Sequence, residues 1–413
     1  MDYQEHRLDN GVRLIHKSVK SEVSHLAWML NAGTRDEHAG EAGIAHFIEH
    51  VIFKGTRKRK AYHVLSRMEN VGGDLNAYTT KEETVVFNSF LNPHYERAIE
   101  LLADIVSNST FPEKEVIKER DVVIDEINHY KDTPSEEIYD EFEGLLFDGH
   151  PLGKNILGTP NDVMDIDKNK ILSFIDNHYH TDRMLIASVG NIPFGKLVFL
   201  VEKYFGEMQE RVSEGMREKF SAYIPKNRQE RRNTFLSHGC IGNLAYSHDD
   251  KKRLDLVLLN NLLGGPGMNS RLNLAIREKY GFTYMIDSQY LSYSDTGVFC
   301  IYLGTDKGYM ERSIRLVHQE LKKLREKKLG TLQLKRAKQQ IIGQMAISLE
   351  SNQNRMLAAG KSYLHLNRVN TFKELSARIE NISALELLEV ANEIFDPGQI
   401  STLVYQSNNS KHD

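Results

Sequence analysis

The sequence predicts an α+β protein of two homologous domains, each a mainly antiparallel sheet packed with helices. The chain has 413 residues, which is too long for a typical single core, so two domains of about 200 residues each are expected. Short β-rich runs and long helical stretches occur in both halves. In addition, segments of the first half can be superimposed on segments of the second, as in an internal repeat.

The first half opens as a β-hairpin and continues as a mixture of helices and strands. Asn10-Gly11 supplies the positive φ values that a tight turn requires between residues 7–8 and 12–15. Gly72-Gly73 separates a helix from the two β-rich runs that follow it. The other predicted strands are residues 23–30, 74–79, 84–91 and 184–189, and the predicted helices are residues 43–53, 61–70, 95–107, 112–131 and 135–147.

A charge-dense segment with little periodicity, residues 207–232, is interpreted as a linker. The predicted domains are therefore residues 1–206 and residues 233–413. After the linker the first architecture returns, with a helix ended by Gly264-Gly265, a strand at residues 298–303 and a helix from Tyr309.

The repeat restricts where a metal could bind. The superimposed pairs are residues 87–101 with 299–316 and residues 115–127 with 333–345. In this register the second copy has Gly343-Gln344 where the first copy has Asp125-Glu126, and the second copy has no His-rich helix. We therefore expect metal ligands in the N-terminal domain alone.

Composition excludes several classes of protein. A hydrophobic fraction of 40% and a charged fraction of 27% are typical of a globular protein. The net charge of −4 gives no electrostatic reason to expect a nucleic-acid partner. No run approaches the ~18 apolar residues that span a bilayer, and residues 1–6 resemble neither a secretory signal nor a transit peptide. Two cysteines are too few for a disulfide framework, so we expect a cytoplasmic protein.

The pentapeptide His46-Phe47-Ile48-Glu49-His50 is the most informative motif. Helix positions four apart share a face, so His46 and His50 can direct imidazole nitrogens at one ion. Glu49 is offset from this pair, which suits a carboxylate that contacts the attacking water instead of the metal. Zinc lowers the pKa of such a water toward about 7, and a neighbouring Glu can take its proton. This order is the inverted form of the commoner zinc-peptidase helix motif.

Two histidines leave a tetrahedral zinc ion short of one protein ligand. The acid-rich helix over residues 113–129 is the best source of the third. Glu119 and Glu126 are two turns apart on one face, whereas Asp121 and Asp125 point elsewhere. From periodicity alone, Glu119, Glu126 and His129 compete for the third position.

Several further motifs accompany the pentapeptide in a fixed order. They are Leu8-Asp9-Asn10-Gly11, Gly33-Thr34-Arg35-Asp36-Glu37, Phe53-Lys54-Gly55-Thr56, Gly72-Gly73-Asp74-Leu75-Asn76-Ala77-Tyr78-Thr79 and the strand at residues 184–191. With them the chain resembles the pitrilysin/insulinase superfamily, in the short branch that includes the mitochondrial processing peptidase and its bacterial homologues. The resemblance implies a zinc metalloendopeptidase in which each chain is one half of a clamshell.

The resemblance also implies roles for single residues. Glu126, which lies 76 residues after His50, matches the family's third zinc ligand, and Glu119 becomes an acid that orients the site from outside the ligand set. Asn76 and Ala77 match the strand beside which the peptide substrate lies. In the second domain, Arg277 and Tyr284 match the pair that holds the substrate backbone and stabilises the tetrahedral intermediate.

The family geometry implies a homodimer around the peptide substrate, although a hetero-partner is also compatible with the sequence. This chain has the length of one half of the long family members but carries both sets of residues, so Arg277 and Tyr284 of one subunit would complete the zinc site of the other. Two alternatives remain open: a maturase for one peptide precursor, and a non-catalytic scaffold subunit. The presence of His46, Glu49, His50 and Glu126 disfavours the scaffold.

Overall fold

The computed structural model describes residues 3–213, 215 and 217–408 and divides into two compact units. Unit 1 comprises Met1–Asn128, Lys154–Glu218 and Ile347–Thr371, and unit 2 comprises His129–Gly153, Lys219–Ala346 and Phe372–Asp413. Each unit therefore contains one segment from the opposite half of the chain, which differs from the continuous domains predicted at residues 1–206 and 233–413.

The strands lie close to their predicted positions. In chain order they are β1 (Gln4–Arg7), β2 (Arg13–Ser18), β3 (Val23–Leu30), β4 (Asp74–Thr79), β5 (Thr84–Leu91), β6 (Met184–Gly190), β7 (Asn227–Arg232), β8 (Ser237–Ala245), β9 (Thr283–Ser292), β10 (Gly297–Thr305) and β11 (Ser401–Ser407).

The helices likewise follow the apolar periodicity. They are α1 (Ile44–Val51), α2 (Ala61–Glu69), α3 (Tyr95–Asn108), α4 (Glu113–Lys131), α5 (Pro134–Leu146), α6 (Pro160–Met164), α7 (Lys168–His178), α8 (Phe194–Phe205), α9 (Arg253–Gly264), α10 (Met310–Glu326), α11 (Thr331–Ser348), α12 (Asn352–Leu366), α13 (Phe372–Asn381) and α14 (Ala384–Ile394). Among the residues that the structure describes, no helix is both long enough and apolar enough to span a bilayer.

The two sheets share one topology, which agrees with the predicted repeat. The order in unit 1 is β1-β2-β6-β3-β5-β4, and the order in unit 2 is β7-β11-β8-β10-β9. Apart from β1, both sheets place the first strand beside the last, followed by the second, fourth and third. In both, the first and last strands pair in parallel, and the other pairs are antiparallel. The prediction of two homologous, mainly antiparallel α+β units is confirmed.

In unit 1, a helix from the C-terminal half covers one face of the sheet. Helix α12 packs on β3 and β6, where Met356, Ala359 and Leu364 join the buried residues of those strands. Gly360 lies against the sheet so closely that an added Cβ would overlap the sulfur of Met29. This close approach of helix to strand explains a glycine in a helix interior, where it otherwise costs about 1 kcal/mol relative to alanine.

Unit 2 shows the reciprocal arrangement. Helix α5, from the N-terminal half, packs on β8 and β11, where Ile138 and Phe142 belong to the same buried cluster as Cys240 and Cys300. Both cysteines are free. The opposite face of this sheet carries the larger core, built with α9, α10, α11 and α14. The domain boundaries therefore follow the burial of the sheet faces and not the order of the chain.

The predicted linker at residues 207–232 is also partly structured. Arg217 donates two hydrogen bonds to the carboxylate of Asp36, at 2.9 and 2.8 Å, and a third to the carbonyl of Asn31 at 3.2 Å. At the other end of the segment, β7 pairs with β11 as an edge strand of unit 2. Its charged residues suit an edge, because one side of such a strand faces solvent.

Candidate metal centre

Helix α1 carries both predicted histidine ligands on one face. His46 is buried and His50 is half-buried, and the two rings lie 4.6 Å apart between centroids. Gly43 precedes the helix with a φ of 82°, a value that favours glycine. The Glu37 carboxylate accepts hydrogen bonds from the backbone N–H groups of Gly43 and Ala45, at 3.1 and 3.0 Å. Glu37 therefore caps the start of the helix, although the sequence assigned it no role.

Helix α4 brings a carboxylate to the same histidines. The Glu126 Oε2 atom lies 3.7 Å from Nε2 of His46 and 3.3 Å from Nε2 of His50. Ligands of a tetrahedral zinc ion with bonds of about 2.0–2.1 Å are separated by roughly 3.3 Å. The three donors therefore have the spacing that one zinc ion requires, and they form one of the His/Glu clusters in the described residues that could hold a metal.

The chemistry of this donor set also fits zinc. Two imidazole nitrogens and one carboxylate oxygen are common zinc ligands and leave a fourth position open. Burial and the neighbouring His50 lower the pKa of His46 to about 4, so this imidazole is neutral and can donate a lone pair. Burial lowers the pKa of His50, but hydrogen bonds to Glu119 and Glu126 outweigh burial and raise it to about 9. A cation at this position would take the place of that proton.

Glu119 orients His50 from the side opposite to Glu126. Its Oε1 atom lies 3.1 Å from Nδ1 of His50, and its Oε2 atom accepts from Lys54 Nζ at 2.7 Å. Burial raises the pKa of Glu119, but these two partners outweigh burial and hold the pKa below its ordinary value. Because Nδ1 of His50 donates to Glu119, Nε2 is left to face the ligand position. The sequence predicted no role for Lys54 itself, although Lys54 belongs to the motif Phe53-Lys54-Gly55-Thr56 that carries the family resemblance.

We predict that Glu119→Gln weakens zinc binding by roughly 10–100-fold without abolishing it, because an amide holds the His50 tautomer less strongly than a carboxylate. Competition with a chromophoric chelator measures the affinity. Glu113→Gln, at an exposed position of the same helix, is the matched control. An unchanged affinity in Glu119→Gln would show that the contact with His50 does not tune the site.

Glu49 is placed next to the donor set without belonging to it. Its Oε2 atom is buried and accepts no hydrogen bond, and burial raises the pKa of its carboxyl above the ordinary value. The carboxylate also raises the pKa of the buried Tyr179 hydroxyl, although burial of Tyr179 is the larger cause. A carboxylate with an unused oxygen and a raised pKa has the properties of a general base.

The predicted substrate strand is an edge strand. β4 pairs with β5 and ends the order of the unit 1 sheet. The Ala77 N–H donates to the side-chain oxygen of Asn76 at 2.8 Å. The Asn76 side chain therefore occupies this N–H, and a peptide carbonyl could replace that side chain.

The other predicted residues are distributed as follows. Arg277 lies in a π-helical segment, Asn273–Glu278, and Tyr284 lies in β9, the edge strand opposite β7 in the unit 2 sheet. Both side chains are exposed. His129, a competitor for the third ligand position, is also exposed and is not a member of the cluster with His46 and His50.

Comparison with known proteins supports the class that the fold and donor set indicate, a metallopeptidase. Residues 13–160 match the family profile described as Insulinase (Peptidase family M16), and residues 165–341 match the Peptidase M16 inactive domain. An uncharacterized zinc protease of Rickettsia bellii is 32% identical over 97% of both chains. A probable mitochondrial-processing peptidase subunit beta of Schizosaccharomyces pombe is 30% identical over 88% of this chain and 82% of the relative.

The fold is shared as well. The crystal structure of a protease from Helicobacter pylori superimposes with a TM-score of 0.90 over 98% of this chain and 99% of that chain, at 22% identity. The chain belongs to peptidase family M16, the insulinase family. The resemblance to the pitrilysin/insulinase superfamily is thereby confirmed.

Proposed function

We propose that this protein is a zinc-dependent endopeptidase that hydrolyses unfolded peptides. The observation that carries the proposal is the convergence of His46 Nε2, His50 Nε2 and Glu126 Oε2 at distances suited to one zinc ion. The M16 membership and the relatives named zinc protease support the same conclusion. When bound by these three residues, the ion would act as a Lewis acid and would lower the pKa of a water in the open position.

The residues of the chain supply the rest of the reaction. Glu49 takes a proton from the attacking water through its unpartnered Oε2 and then delivers it to the leaving amine. Glu119 keeps His50 in the tautomer that leaves Nε2 available. A peptide adds beside β4 as an extra strand, with its carbonyl accepting from the Ala77 N–H in place of the Asn76 side chain.

Arg277 and Tyr284 are proposed to hold the substrate backbone and to stabilise the oxyanion of the tetrahedral intermediate. Both are exposed, and Tyr284 lies on an edge strand, so both can reach a ligand. We propose that the two subunits of a homodimer enclose the peptide and that these residues of one subunit act on the zinc site of the other. A relative named as a peptidase subunit makes a hetero-partner the second candidate.

Removal of the metal tests the function. The protein as purified should hydrolyse a quenched peptide library, lose that activity after treatment with a zinc chelator, and regain it with added Zn²⁺. Activity that persists in metal-free protein would contradict the proposal. Sedimentation together with activity measurements tests the dimer, which a fully active monomer would exclude. The free cysteines Cys240 and Cys300 suit the reducing cytoplasm, where we propose that the enzyme acts.

A further inference from the structure

A second group of potential metal ligands lies in unit 1, apart from the His46–His50–Glu126 cluster. Ligand atoms of His38, Glu41 and His178 all lie within 4.8 Å of one another. His38 and Glu41 belong to the loop before α1, and His178 is the last residue of α7. His178 lies 140 residues after His38 in the sequence, so the sequence gives no reason to pair the two.

The histidine of α7 has an unused buried nitrogen in this group. His178 is 8% exposed, and its Nε2 atom is buried without a hydrogen-bond partner. A buried imidazole nitrogen without a partner carries a desolvation cost that a ligand would remove. The ring of His38 lies beside it, with the centroids 5.5 Å apart. The two imidazoles therefore face a common position from two different elements.

The other members of the group make this position suitable for a cation. Glu41 adds a carboxylate, whose Oε2 accepts from the His38 backbone N–H at 2.9 Å and so fixes the short loop between them. The C-terminus of α7 adds the partial negative charge of a helix end. Two cations oppose this charge: Lys170 Nζ donates to the Gly40 carbonyl in the same loop at 3.3 Å, and the Arg183 guanidinium lies 3.8 Å from the Asp36 carboxylate.

We propose that His38, Glu41 and His178 form a second divalent-metal site, separate from the catalytic one, which binds Zn²⁺. Two imidazoles and one carboxylate are a donor set that zinc accepts, with water completing the shell. The bound ion joins the loop at residues 38–41 to α7. Because that loop leads through Gly43 into α1, the ion restrains the start of the helix that carries His46 and His50.

Titration with Zn²⁺ alone tests the second site in the full chain. Isothermal titration calorimetry on metal-free protein should show two zinc equivalents in the wild type and one in His50→Ala. His38→Ala and Glu41→Gln replace side chains that are exposed or half-buried, so the fold should tolerate both. Each should keep the tight equivalent and weaken the other by at least roughly 10–100-fold.

Thermal unfolding supplies a second measurement. Zinc added beyond one equivalent should raise the Tm of the wild type, because it binds the folded state alone, and the rise should be absent in His38→Ala. His63→Ala, at an exposed histidine of the same unit, should behave as the wild type.

Three results would overturn the proposal. They are a single equivalent in the wild type, an unchanged second equivalent in His38→Ala, and loss of the second equivalent in His180→Ala, which would assign the site to the His178–His180 pair. None of these results bears on the catalytic zinc, since His50→Ala reports that site separately.

Discussion

Glu49→Gln is expected to retain zinc and to lower kcat by about 10²–10⁴-fold, the usual contribution of a general base. The amide has the shape of the carboxylate but cannot take a proton from water. Glu49 is not one of the three converging donors, so zinc binding should remain close to that of the wild type. The loss should therefore appear in kcat with the metal content unchanged.

The experiment combines zinc analysis with hydrolysis of a quenched peptide. Glu69→Gln, which makes the same chemical change at an exposed position of α2, is the matched control and should leave both values unaltered. If Glu49→Gln retains turnover, Glu49 is not the base. If it loses zinc, Glu49 acts in metal binding, and its assignment apart from the donor set is wrong.

Glu126→Gln is expected to lose both zinc and activity. The substitution removes the anionic donor that lies 3.3 Å from Nε2 of His50 and 3.7 Å from Nε2 of His46. Loss of a direct ligand should weaken zinc binding by more than the 10–100-fold typical of an outer partner. A large excess of Zn²⁺ should restore part of the activity, because Glu49 and both histidines remain in place.

Asp125→Asn is the control on the neighbouring, exposed residue of the same helix and should leave zinc binding intact. Zinc content is best compared in chains that also carry His38→Ala, so that the proposed second site does not contribute. If Glu126→Gln binds zinc as tightly as this control, Glu126 is not a ligand, and Glu119 again becomes the leading candidate. Together, the two variants distinguish a residue that acts in catalysis, Glu49, from a residue that binds the metal, Glu126.

Most elements of the fold could be predicted from local sequence patterns. Apolar periodicity and turn residues placed β3, β4 and β5 at the residues where the structure has them, and the repeat predicted a topology that both sheets share. The linker was predicted less well. Its charge density indicates contact with solvent, which β7 has on a sheet edge. Arg217, in contrast, is half-buried and pairs with the Asp36 carboxylate.

Some residues of the candidate site could be predicted from the sequence alone, and others required the tertiary structure. The spacing of His46 and His50 required no tertiary information, because four residues along a helix fix a common face. The choice among Glu119, Glu126 and His129 did require it, since all three lie on one long helical segment. The structure brings Glu126 to the two Nε2 atoms and gives Glu119 the opposite side of His50, in the same order that the family resemblance implied.

The sequence by itself determined the two-domain α+β architecture, the helix with its His-x-x-Glu-His motif and the restriction of that motif to the first copy. Only the tertiary structure decided which helix covers which sheet, and it placed α12 in unit 1 and α5 in unit 2. An apolar stripe shows that a helix needs a partner surface but does not say which of two equivalent sheets supplies it. For the same reason, His38 and Glu41 meet His178 only in the folded chain, because side chains far apart in sequence are brought together by packing and not by spacing.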